Sequence, residues 1–96
     1  MFPGTKLTLG TVASAASIIV KSDIVKVTGT TQINTITSPL FLSAQGGLGV
    51  ILIPVDGSVV LGTSGNILVG ITAVINRAVF MTYDTVVGKW YINSGV

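Results

Sequence analysis

The stretch that begins at Val25 and ends at Ile36 constrains the fold more than any other part of the chain. Val25 and Val27 flank Lys26, so an extended backbone places both valines on one face and the lysine on the other. Gly29 can adopt a positive φ at little cost, and the threonines around it favour extended backbone and can bond turn groups. The stretch therefore predicts a strand, a tight corner at the glycine and a second strand.

Short apolar runs separated by turn signals continue along the chain. Residues 50–53 are apolar at every position, which favours a central strand whose two faces are both covered. Asp56 and Gly57 predict a two-residue hairpin turn, with residues 58–61 as the returning strand. Residues 70–76 are ambiguous and could form one turn of helix.

The end of the chain predicts a second hairpin. Residues 77–83 read as its first strand, residues 84–88 as its turn and residues 89–92 as its second strand. No long helical pattern competes with these strands, so we expect an all-β fold: a small β-sandwich, or a domain resembling a β-prism or β-barrel. We expect residues 1–17 to form an N-terminal arm and residues 18–96 to form a single β domain.

The composition points to an assembly. Apolar residues make up 49% of the chain and charged residues 8%, with a mean hydropathy of +0.86. Ordinary soluble domains are about 25% charged. No run approaches the roughly 20 apolar residues of a membrane-spanning helix, so we expect no membrane partner. The apolar surplus is therefore expected to be buried against other copies of the chain or against a partner.

The charged residues argue against several function classes. The net charge is +2, and the five cations are scattered rather than clustered in the basic stripe of a nucleic-acid-binding protein. The chain has no Cys, no His and no Glu, so it lacks the commonest general base and the commonest nitrogen ligand for metals. We expect no enzymatic activity, no cofactor, no metal and no nucleic-acid partner.

Three features could indicate a functional site but are more simply explained by structure. The glycines around Gly46 lack the strand–loop–helix context of a phosphate loop. Asp56 and Asp84 lie at turns, where Asp commonly bonds nearby backbone. Trp90 and Tyr91 could line a sugar-binding surface, but strand alternation points them to opposite faces, so only one is expected to be free.

One series of residues recurs in a known order along residues 18–92. The series is Val27-Thr28-Gly29-Thr30, Ile33, Thr35, Ile36, an apolar strand ending Leu52-Ile53, Gly57, Leu61, Gly65-Asn66-Ile67, a strand Ala78–Tyr83 with Asp84, and Lys89-Trp90-Tyr91. It resembles the small β-rich module of tailed-bacteriophage virion proteins, found in capsid decoration (cement) proteins and at the tips of tail fibres and appendages. Pro54 departs from the pattern, because the usual residue there can continue strand pairing.

The resemblance implies a symmetric homotrimer on the outside of a phage capsid, bound to the major capsid protein. The chain would then be a virion structural protein that stabilises the capsid. The alternative is the receptor-binding tip of a tail fibre or appendage, which would bind a host surface receptor. The residues predicted at the trimer or partner interface are Val27, Ile33, Ile36, Trp90 and Tyr91.

Overall fold

The structure is a computed structural model that describes residues 8–39 and 47–93. These residues form nine strands and no helix, which confirms the predicted all-β fold. The strands are β1 (Leu9–Ala13), β2 (Ser17–Ile19), β3 (Ile24–Thr28), β4 (Thr35–Thr37), β5 (Gly47–Pro54), β6 (Val59–Leu61), β7 (Ile71–Ala73), β8 (Val79–Asp84) and β9 (Lys89–Asn93).

The first six strands wind into three stacked coils: β1 and β2 form the first, β3 and β4 the second, and β5 and β6 the third. β1, β3 and β5 lie side by side and parallel, and β2 and β4 form a second parallel pair. A parallel bridge between Ile33 and Leu61 joins the second coil to the third on another side of the stack. Each coil therefore lies on the one before it, as in a parallel β-helix. β1 belongs to the predicted N-terminal arm and is a strand of the main sheet; residues 1–7 of the arm lie outside the described residues.

The last strands complete the main sheet, whose strand order is β1-β3-β5-β8-β9. β8 pairs antiparallel with β5, and β9 pairs antiparallel with β8, as the predicted second hairpin requires. β5 is the central strand, as its continuous apolar sequence predicts. Pro54 does not interrupt it, because Pro54 lies opposite Val27 and the next N–H, that of Val55, donates to the Val27 carbonyl at 3.0 Å.

Side-chain hydrogen bonds join the corners of successive coils. Gly29 has the predicted positive φ, at 73°. The N–H of Thr31 donates to Ser14 Oγ of the first coil at 2.9 Å. The N–H of Gly29 donates to Asp56 Oδ2 of the third coil at 2.8 Å. These bonds use groups that a corner would otherwise leave without partners, and they hold the coils in register.

One sequence-based expectation is wrong. β6 does not return along β5 as a hairpin; it pairs with β7. Asp56 bonds the corner of the second coil instead of folding the chain back, which explains why the Asp-Gly dipeptide does not form a hairpin turn. Residues 70–76, which the sequence leaves ambiguous, contain strand β7. Among the predicted glycine-loop residues, Gly46 lies outside the described residues and Gly47 begins β5.

The core lies inside the stack and continues under the C-terminal hairpin. Val25 and Val27 are buried and Lys26 is exposed, as the alternation predicts. Leu52 of the central strand and Trp90 of β9 are completely buried. Burying such side chains contributes about 1.5–3 kcal/mol each for aliphatic residues.

We predict that Gly29→Ala destabilises the fold by about 1–2 kcal/mol, because a Cβ is strained at this φ. The added Cβ would also lie 2.8 Å from Ser14 Oγ, which accepts the hydrogen bond from the Thr31 N–H. Gly49→Ala is the control, since its Cβ would meet nothing closer than the Met81 carbonyl oxygen at 4.0 Å. Urea unfolding followed by Trp90 fluorescence measures both; equal midpoints for the two variants would contradict the prediction.

Candidate functional site

The structure separates the five residues of the predicted interface into two groups. Val27, Ile33, Ile36 and Trp90 are completely buried within the protomer. Tyr91 is 43% exposed. The predicted alternation of Trp90 and Tyr91 is therefore confirmed, with the tryptophan in the core. Of the five, Tyr91 is the residue whose side chain is available to a partner.

The outer face of the main sheet carries an apolar row that crosses four strands. The ladder places Leu9 beside Ile24, Ile24 beside Ile51 and Ile51 beside Phe80. Neighbours in a ladder project from the same face of a sheet. Leu9 is 59% exposed and Phe80 45% exposed, and the two isoleucines between them are partly buried. We call these four side chains the apolar row.

Beside the apolar row the outer face carries Lys26 on β3, and Asp84 and Lys89 lie opposite each other at its margin, next to the hairpin turn. The next row across β1, β3 and β5 consists of Thr11, Lys26 and Ile53. On β8 and β9, Thr82 lies opposite Tyr91. The face therefore presents aliphatic, aromatic and hydroxyl groups, a composition suited to contact with another protein rather than to holding ions in water.

Asp84 caps the turn of the C-terminal hairpin, as predicted for a turn aspartate. Its Oδ1 accepts from the N–H groups of Val86 and Val87 at 2.9 and 3.2 Å, and its Oδ2 accepts from the Tyr91 hydroxyl at 3.1 Å. The backbone hydrogen bonds from Val87 and Val86, helped by Tyr91, lower the pKa of Asp84. The hydrogen bond to Asp84 raises the pKa of Tyr91. The pair fixes the orientation of the exposed aromatic ring.

Asn66 closes one edge of the second sheet with its side chain. Its Oδ1 accepts from the Ile36 N–H at 2.8 Å, and its Nδ2 donates to the Ile36 carbonyl at 2.6 Å. The same carbonyl accepts from Trp90 Nε1 at 2.9 Å. The amide thus pairs with β4 as another strand would. Sequence reasoning found Asn66 only as part of the phage-module resemblance and did not assign it this role.

The described residues contain neither a metal-binding cluster nor a membrane-spanning helix. Among residues 8–39 and 47–93, no three His, Cys, Asp or Glu side chains lie close enough together to hold a metal ion. Within the same residues no helix is long and apolar enough to cross a membrane.

We predict that Asn66→Ala lowers the free energy of unfolding by about 1–3 kcal/mol, because the Ile36 N–H loses its acceptor in a part-buried place. Asn34→Ala is the control, since Asn34 bonds only Gln32 through its side chain at an exposed site. Chemical unfolding monitored by Trp90 fluorescence measures both. Equal losses in the two variants would show that the amide does not hold β4.

We predict that the hairpin of β8 and β9 weakens at both pH extremes. Because the pKa of Asp84 is lowered, the stability that this carboxylate contributes to the hairpin is present above the ordinary Asp pKa of about 3.9. That stability is lost as the pH falls through the folded-state pKa. The raised pKa of Tyr91 means that its contribution is present below about pH 10 and is lost as pH rises through the folded-state pKa.

NMR titration of Asp84 and Tyr91 checks this expectation. In Tyr91→Phe the pKa of Asp84 should stay lowered, because the backbone donors Val86 and Val87 remain. In Asp84→Asn the pKa of Tyr91 should return towards its ordinary value. An Asp84 pKa at the ordinary value in the unmodified protein would contradict the capping geometry.

No protein-family model, no curated protein and no solved structure matches this chain. The resemblance to phage virion modules therefore remains a prediction from sequence.

Proposed function

We propose that this chain is a virion structural protein: a trimeric decoration protein that binds the outside of a phage capsid and stabilises it. The observation that carries the proposal is the apolar row on the outer face of the main sheet. A surface of this kind favours a protein that functions by assembling. The trimeric state and the capsid partner are taken from the resemblance.

The apolar row supplies a surface that another copy can cover. It crosses four strands, which at about 4.8 Å between strands spans roughly 14 Å. Leu9 and Phe80 at its ends expose about half of their side chains. Covering apolar surface stabilises an assembly by about 25 cal/mol per Å², before the cost of association. Each protomer would therefore gain from burying the row against its neighbour in the trimer.

The scarcity of charge supports the same proposal. The outer face carries Lys26 among aliphatic and hydroxyl side chains, and Lys89, at the margin beside the hairpin turn, donates to the Gly65 carbonyl. The interior of a stable protein interface is likewise depleted of charge. Asp84 is engaged in its own turn and with Tyr91. Few charged groups would lose water when copies of this chain, or a capsid subunit, cover the face.

We predict that Phe80→Asp converts the trimer to monomer, because the variant places a carboxylate at the end of the apolar row. Val60→Asp is the control: Val60 is 43% exposed, close to the 45% of Phe80, but lies on β6 in another sheet. Light scattering measures the mass of each protein. Co-sedimentation with capsids that lack this protein measures binding.

The unmodified chain should be a trimer that pellets with capsids at fixed, saturating stoichiometry. A monodisperse monomer at micromolar concentration would overturn the trimer. A trimer that does not bind capsids would overturn the decoration role.

The pair of Tyr91 and Asp84 favours a second candidate, the receptor-binding tip of a tail fibre or appendage. An exposed aromatic ring held by a carboxylate, with Thr82 opposite, offers the stacking and hydrogen-bonding groups that a sugar requires. Adhesion to host cells that is lost in Tyr91→Ala, without binding to capsids, would select this candidate over decoration.

A further inference from the structure

The main sheet and the second sheet, which is the parallel pair of β2 and β4, are each covered at one edge by the chain itself. In the main sheet, the N–H of Trp90 donates to the Asn66 carbonyl and the N–H of Leu68 donates to the Trp90 carbonyl, at 2.8 and 3.0 Å. In the second sheet, Asn66 and Trp90 bond the backbone of Ile36. Covering an edge in this way prevents another chain from pairing with it.

The opposite edges, on the first coil, are open. The N–H of Ile24 donates to the Thr8 carbonyl, and the N–H of Ser14 donates to the Thr28 carbonyl. Alternate residues of a parallel strand bond the same neighbour, so the backbone groups of Leu9, Thr11 and Ala13 point away from β3. Among residues 8–39 and 47–93 no strand pairs with this outer edge of β1.

β2 presents a second open edge at the same end of the stack. The N–H of Thr35 donates to the Ala16 carbonyl, and the N–H of Val20 donates to the Thr37 carbonyl. The backbone groups of Ser17 and Ile19 therefore point away from β4 by the same alternation. The first coil thus offers unpaired backbone donors and acceptors from two strands.

A groove lies between these two strands. Its volume is about 540 Å³, and its apolar lining includes Val12, Ile18, Val20 and Val25. Side chains that alternate along an added strand point alternately to the two faces of a sheet. A strand added beside β1 would therefore place every second side chain over the groove.

The charge around the open end is positive. Lys21 lines the groove, and Lys26 lies beside Thr11 on the outer face. Neither lysine makes an ion pair within the described part of the chain. The nearby carboxylate of Asp23 accepts from the backbone N–H and the hydroxyl of Thr8, each at 3.0 Å, and keeps its negative charge. An added strand would therefore meet two lysines and one carboxylate that is already hydrogen-bonded, a net charge of +1 (two cations less one anion).

We propose that the open end of the first coil binds an extended segment of the capsid protein, added as a strand along β1, with alternating apolar side chains over the groove and an acidic residue near Lys21 or Lys26. This inference rests on the proposed decoration role and names the surface that carries it. The backbone hydrogen bonds would supply affinity, and the groove and the lysines would select the sequence.

The charges favour a partner segment over a second copy on this edge. A second copy would bring two positively charged ends together, whereas an acidic segment pairs with the lysines. Charge complementarity therefore decides the occupant.

Thr11→Pro tests the edge. The N–H of Thr11 points outward, so proline removes a donor at the edge and leaves the bonds between β1 and β3 in place. Thr11→Val is the matched control, because it keeps the N–H and the β-branched shape. A second test avoids any effect of proline on folding. The double variant Lys21→Glu with Lys26→Glu reverses both lysine charges at the open end. Its control is Arg77→Glu, which reverses the charge of an exposed cation elsewhere in the chain.

Two probes are used with each variant. The first is capsids that lack this protein, in the co-sedimentation assay. The second is a synthetic peptide of about seven residues, alternating Val and Thr with a Glu at each end, long enough to span β1. The same peptide with N-methylated backbone amides is its control, because it cannot pair as a strand.

We expect Thr11→Pro and the double lysine variant to lose affinity for capsids and for the peptide by at least about tenfold, which corresponds to about 1.4 kcal/mol. Thr11→Val, Arg77→Glu and the trimer mass of every variant should be unchanged. The N-methylated peptide should not bind.

Three results would overturn the inference. If Thr11→Pro and the double lysine variant bind capsids as strongly as the unmodified protein, the edge of β1 takes no part in capsid binding. The decoration role would then be unaffected. Concentration-dependent doubling of mass that Thr11→Pro abolishes would assign the edge to a second copy. Failure of the unmodified protein to bind capsids would overturn the decoration role itself, and binding of the peptide would then show the edge to be a docking site for a different partner.

Discussion

The two hydrogen-bonding groups of one residue, Ile36, are the point on which the stack depends. β4 has a parallel neighbour on one side, and a strand in that position needs partners for the groups on its other side. Asn66 supplies both an acceptor and a donor from one side chain, and Trp90 adds a second donor to the carbonyl. One residue of the second coil thereby binds both the third coil and the C-terminal hairpin.

Side-chain hydrogen bonds to backbone also join the coils at their corners. A coil of short strands has too few ladder bonds to hold its position alone, so side chains such as Ser14 and Asp56 bond the backbone of the adjacent coil. The Asp56-Gly57 dipeptide after β5 does not form a hairpin turn; Asp56 instead bonds the corner of the second coil. Trp90 then packs edge-to-face on Tyr83, with ring centroids 5.2 Å apart, and closes the core under β8 and β9.

The protomer covers some of its edges and faces and leaves others open. The chain covers the edges near Asn66 and Trp90, yet it leaves the edge of β1 and the apolar row uncovered within the described residues. The two uncovered surfaces differ in chemistry: one presents backbone groups beside a groove and two lysines, the other presents aliphatic and aromatic side chains. They would serve different partners, a capsid segment at the edge and a copy of the chain on the sheet face.

The sequence by itself determined what depends on neighbouring residues. The alternation around Lys26, the corner at Gly29, the central position of β5, the hairpin capped by Asp84 and the opposite facing of Trp90 and Tyr91 all follow from local backbone geometry. Register and pairing depend on contacts between distant residues, so only the tertiary structure paired β6 with β7 and aligned Leu9, Ile24, Ile51 and Phe80. It also placed Val27, Ile33 and Ile36 in the protomer's own core, because alternation shows that a face is buried but not whether the chain or a second copy covers it.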